Sequence, residues 1–237
     1  MSSANAGMGN LANIFVAPGK ALQNLKEQPT VAVPILLLLG AWIVLWIWYY
    51  HAVDFPWLID RMIQAQAKIA PPEQRARIVA ATSQVSPTFL TVISIASVII
   101  VLLLSTLIMS AYLLIVAVVR EDDLGFKSWL SLVLWTSLPS LLVVVAIAIH
   151  VLLADQHRVA PDQLNPLSLD SLLFGGDSSA RWKRLLGSLD LTSLWSWALL
   201  IFGYRLWTRR SVLQSAVVVL APIVILYGGW AIMISRG

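Results

Sequence analysis

The sequence predicts an all-α polytopic membrane protein, a bundle of five transmembrane helices led in by an N-terminal interfacial amphipathic helix. Three observations predict it. Hydrophobic residues make up 59% of the 237-residue chain and charged residues only 12%, about half the charged share of a soluble domain, and mean hydropathy is +0.81. Uncharged apolar runs recur at lengths that cross a hydrocarbon core as helices, about 20 residues each. The eleven Trp suit a membrane interface, where an amphipathic ring is at home.

Residues 1–28 form the interfacial segment and residues 29–237 the membrane domain. Leu11, Ile14, Phe15, Pro18, Leu22 and Leu25 follow 3-and-4 spacing, with Lys20, Gln23, Asn24, Lys26 and Glu27 elsewhere on the wheel. That pattern predicts an amphipathic helix on the membrane surface. Pro18 suits a helix start and Pro29 a helix end. The first span, about 29–53, is too long for a signal peptide. It ends in WIWYYHAVDFPW, an aromatic belt with no small-residue cleavage site, so it is a retained span.

The second span, about 88–119, has 32 residues and would cover about 48 Å, so it must tilt or project. The third covers about 128–154. The fourth is the weak one, because only LTSLWSWALLIFGY separates Asp190 from Arg205. It reaches spanning length from about 185 to 207, with Asp190 about one turn inside and Arg205 snorkelling outwards. The fifth covers about 211–234. Pro34, Pro139 and Pro222 fall within spans and predict kinks.

Five spans put the termini on opposite sides. Seven Lys and Arg fall on the N-terminal side and nine on the other. The seven sit in short segments hard against the spans, which favours a cytoplasmic N-terminus. REDDLGFK and RLWTRR are tight turns, and the two long linkers, Asp54–Pro87 and Asp155–Arg184, share a side. The first reads as helix broken at Pro71-Pro72, the second as irregular with one short interfacial helix.

Function is less legible. With no Cys, disulfides, thiolate metal sites and cysteine nucleophiles are excluded. The net charge of +4 follows membrane edges instead of forming a basic stripe, so nucleic acid is not a partner. No phosphate-binding, zinc-protease or serine-hydrolase motif occurs. His51, His150 and His157 are scattered and read as interfacial polar residues, and no metal or cofactor is expected. Asp190 reads as a helix cap in preference to a proton relay. Ser188, Thr192 and Ser196, spaced by four, read as a helix-packing stripe in preference to a hydroxyl-lined path. Glu121, Asp122 and Asp123 in one turn and Arg205, Arg209 and Arg210 in another would pair or form a docking patch.

The proline-centred IFVAPGKALQNLKEQPTVAVPILLLL, then FKSWLSLVLWTSLPSLL, LLGSLDLTSLWSWALLIFGYRLW and SVLQSAVVVLAPIVILY together resemble bacterial members of the Yip family, relatives of the Rab-GTPase-interacting membrane proteins. The resemblance runs from about Asn10 to Tyr227. It implies five helices with a cytoplasmic N-terminus and no catalytic residues. The chain lacks the long N-terminal region and Asp-Leu-Tyr-Gly motif of eukaryotic members, so small-GTPase binding is not expected. The expected function is a non-enzymatic scaffold or accessory subunit of a bacterial inner membrane that binds other membrane proteins, self-associates or organises lipid. The alternative is a component of a transporter for lipid or another small amphiphile.

Overall fold

The computed structural model describes residues 3–176 and 179–236. Twelve α-helices occur among them: α1 (Ser3–Val16), α2 (Pro18–Glu27), α3 (Ala32–Ala52), α4 (Phe55–Ile69), α5 (Pro72–Thr82), α6 (Pro87–Val119), α7 (Phe126–Thr136), α8 (Leu141–Leu153), α9 (Leu169–Phe174), α10 (Ala180–Gly187), α11 (Leu191–Thr208) and α12 (Val212–Arg236). The described residues form no strand, and the fold is an all-α polytopic membrane bundle.

Four crossings are long and apolar enough to span a bilayer: α3, α6, the α7–α8 pair from Phe126 to Leu153, and α12. The α7–α8 pair is the hub. Half of its central window is buried, against 6% for α6 and 11% for α12, so those two helices present their length to lipid or to neighbours. The fifth crossing expected between 185 and 207 is divided. Helix α10 stops at Gly187, and α11 begins at Leu191 with 18 residues, about 27 Å of helix.

The three span prolines act differently. Pro139 lies in a 3₁₀ turn, Leu138–Ser140, that separates α7 from α8. Pro222 sits inside the continuous helix α12. Pro34 falls in the first turn of α3, where its missing N–H is one that no intrahelical carbonyl would meet, so no kink is required there.

The bundle has two ends. The near face carries α1, α2, the α6–α7 turn and the α11–α12 turn; the far face carries α4, α5, α9 and α10. Each half has its own core. The near core gathers Leu22, Leu25, Trp129, Leu132, Trp135, Leu199, Tyr204 and Trp207. The far core gathers Leu45, Tyr49, Tyr50, Leu58, Val143, Ile147, Val151 and Leu164.

The N-terminal segment holds more than the single helix expected of it. It is two helices joined at Ala17, with Pro18 at the first position of α2. The apolar edge of α2, Ala21, Leu22 and Leu25, is fully buried against α7 and α11, not laid on open bilayer. An amphipathic stripe shows only that an apolar neighbour is needed, and here that neighbour is protein. Gly203 allows the close approach, since a Cβ there would lie 2.5 Å from Leu132 Cδ1 and 3.5 Å from Leu22 Cδ1.

On the far face, the linker helices fall on either side of Pro71-Pro72 as α4 and α5. The second linker holds more order than expected, with two 3₁₀ turns, α9 and α10.

Candidate functional site

The near face is built by aromatic and lysine side chains that reach backbone carbonyls. Lys26 Nζ donates to Trp207 O at 2.7 Å, and Trp207 Nε1 donates back to Leu22 O at 2.8 Å. The lysine thus meets a carbonyl in the last turn of α11, where the helix dipole favours positive charge. The α2–α3 linker is held in the same way. Thr30 N donates to Ser131 Oγ at 3.2 Å, while Ser131 Oγ and Trp135 Nε1 both donate to Thr30 O at 2.9 Å.

This frame presents two turns of opposite charge. Arg210 meets Asp122 at 3.7 Å and donates to Arg120 O at 3.4 Å. The other four expected members do not pair: Glu121, Asp123, Arg205 and Arg209 are exposed, and among the described residues none takes part in an ion pair. Glu121 and Arg209 have φ of 58° and 56°. A left-handed backbone costs a residue with a Cβ about 1–2 kcal/mol, and at a helix end glycine is the usual occupant. Both turns therefore carry an exposed charge where glycine would be easier.

At the start of α11, Asp190 Oδ1 accepts from Ser193 N at 2.8 Å and from Thr192 Oγ1 at 2.7 Å. Its Oδ2 accepts from Asn165 Nδ2 at 3.0 Å, which ties the helix start to the far-face linker. Asp190 is the N-cap of α11, and both of its oxygens accept hydrogen bonds. The hydroxyl stripe does not form as expected, because the chain breaks between its members. Ser188 belongs to the end of α10 and donates to Leu185 O at 2.8 Å. Thr192 is buried and Ser196 is half-buried on α11.

The far face holds a cleft of about 440 Å³ lined by His150, Arg158, Gln163, Ser171, Gly175 and Gly176 among others. Tyr49 Oη donates to Val159 O at 2.7 Å and so pins one wall to α3. Arg158 pairs with Asp54, its Nε and one terminal nitrogen 2.9 and 2.8 Å from Oδ2. Asp54 also caps α4, accepting from Trp57 N at 3.2 Å. That backbone N–H, followed by the Arg158 guanidinium, holds the Asp54 carboxyl below its usual range. Among the described residues no three His, Asp or Glu gather as a metal site would require.

With both faces described, comparison with known families gives one answer. The model of the Yip1 domain matches residues 12–233. The chain belongs to the Yip1 domain family. No curated protein and no solved structure matches it.

For this Yip1-domain protein, only Asp122 and Arg210 of the six expected docking residues meet. What the sequence reading missed are the carbonyl clamps and the cleft. Lys26 lies 181 residues from Trp207 and Arg158 lies 104 from Asp54. Neither pair has a local signature, although Asp54 followed by Phe55-Pro56 is an N-cap and first-turn proline pattern.

Proposed function

We propose that this Yip1-domain protein is a non-catalytic membrane scaffold or accessory subunit of a bacterial inner membrane. On this reading α11 completes a fifth crossing, the N-terminus is cytoplasmic, and the C-terminus is on the opposite side. The protein docks other membrane proteins, or a second copy, through Glu121, Asp123, Arg205 and Arg209. The observation that carries this is the pair of near-face turns, which hold Glu121 and Arg209 exposed and in left-handed backbone. Strained backbone is retained where the surrounding structure enforces it, and it clusters at binding sites. Ser188, Asp190, Thr192 and Ser196 serve the packing and capping of α10 and α11.

Affinity purification in mild detergent tests the proposal. The wild-type chain should recover a stoichiometric membrane partner or itself. The Glu121→Gly, Arg209→Gly double variant should recover less while remaining at least as stable, since glycine relieves both turns. Equal recovery by the two would sink the docking role. The transporter alternative draws on the break at Pro139, and a liposome flux assay with lipid substrates decides it. Flux no greater than in empty vesicles eliminates it.

A further inference from the structure

The far-face cleft carries chemistry that near-face docking does not use. Among the described residues its lining contains Arg158, His150, Gln163 and Ser171, and no carboxylate. Among these described lining residues a cation would find no anionic ligand, whereas an anion finds a guanidinium. Arg158 gives Asp54 only its Nε and one terminal nitrogen. Arginine has five N–H donors in a rigid fork that matches phosphate oxygens, so donors remain for a ligand. Gln163 Oε1 accepts from Arg61 at 3.4 Å, which leaves the amide nitrogen as a further donor. Ser171 donates its hydroxyl hydrogen to Asn165 O at 3.0 Å and is not a donor to the cleft.

The backbone on either side of Arg158 is constrained. The two residues before it, Gln156 and His157, have φ of 50° and 55°, a conformation that costs residues bearing a Cβ. The residue after it is fixed to α3 through the Tyr49 hydroxyl.

The surroundings choose between a dissolved anion and a lipid. The segments that line the cleft also expose apolar side chains beside the lining residues in sequence. Leu152 and Leu153 at the end of α8 are 59% and 82% exposed, and Leu172, Leu173 and Phe174 on α9 are 48%, 65% and 52% exposed. Exposed apolar surface on these segments favours hydrocarbon over water.

We propose that this cleft binds the phosphate of a phospholipid headgroup through Arg158 and Gln163. The acyl chains lie along Leu152, Leu153 and the Leu172–Phe174 ridge. Asp54 is an internal competitor for the arginine, which phosphate displaces in part.

The test titrates the full chain in uncharged detergent with dioctanoyl phosphatidylglycerol, dioctanoylglycerol and inorganic phosphate, read by native mass spectrometry and tryptophan fluorescence. The phospholipid should saturate a single site, the phosphate-free diacylglycerol should not, and inorganic phosphate should bind at least about tenfold more weakly. Arg158→Gln should weaken phospholipid binding by about tenfold or more, the worth of a charge-assisted hydrogen bond. Asp54→Asn keeps the α4 cap and removes the competitor, so it should tighten binding by about two- to fivefold. Diacylglycerol saturating equally well overturns the proposal, as does phosphate binding as tightly as the lipid. If Arg158→Gln does not fold, Asp54→Asn decides alone: unchanged or weaker binding rejects the site. The outcome does not depend on whether the near face captures a partner.

Discussion

The two ends of the bundle are fastened by different chemistry. At the near face, side chains cross between helices to reach main-chain carbonyls beneath buried indoles, as with Lys26 to Trp207 O and Trp135 to Thr30 O. The far face has a clamp of this kind, Tyr49 to Val159 O, and adds ion pairs between side chains near water, Arg158 to Asp54 and Lys183 to Asp162 at 2.9 Å. A buried carbonyl left without a donor is costly, whereas an exposed ion pair contributes little. The near end is therefore held mainly by buried clamps, and both ends carry left-handed turns. The far end can exchange its internal pairs for a ligand.

The largest test of this contrast is Trp207→Ala. It removes a side chain that is 3% exposed and the donor to Leu22 O, and should cost about 3–5 kcal/mol, read as a lower melting temperature in detergent. Gly203→Ala comes next. It drives a methyl against Leu132 in a packed core and should cost about 1–3 kcal/mol, together with faster proteolysis of the N-terminal helices as α2 separates from α11. On the far face Tyr49→Phe removes one hydrogen bond to Val159, about 1 kcal/mol, and should raise amide exchange in residues 155–164 while leaving α2 unchanged. If Trp207→Ala costs no more than Tyr49→Phe, the contrast between the ends is wrong.

The smallest effect is on pH. Because the Asp54 carboxyl is held below its usual range, its contribution is complete above the ordinary carboxylate value. It is lost as pH falls through the depressed native value. Amide exchange at the start of α4 should rise on acidification in the wild type, and Asp54→Asn should abolish that dependence. Near-face amides around α2 should show no matching change.

Composition and run length made the membrane-spanning helices legible, since lipid admits few alternatives to a continuous helix. The bracketing of α2 by Pro18 and Pro29 was legible too, because proline's fixed φ acts locally. What α2 packs against was not. The same stripe of Leu22 and Leu25 serves a bilayer or a protein groove, and the glycine that opens the groove, Gly203, lies far away in sequence. The α10–α11 break was hidden because Asp190 reads in the sequence either as an acid one turn inside a continuous span or as the cap of a new helix. Only the cap bonds of Asp190, together with its tie to Asn165, show where the chain turns. The cleft was invisible for a related reason. Its lining comes from the end of α8, an irregular loop and a six-residue helix, none of which carries a spacing rule.

One dimension of the fold reaches beyond its own contacts. Helix α6 has 33 residues and α11 has 18, or about 50 Å against about 27 Å. A hydrocarbon core is about 30 Å thick, and helices tilt by at most about 40°. At that limit α6 still needs about 38 Å of height, by its cosine. The apolar wall along α6 is therefore taller than a hydrocarbon core, whereas α11 is shorter than one. Either the lipids beside α6 stretch or its ends project past the hydrocarbon core.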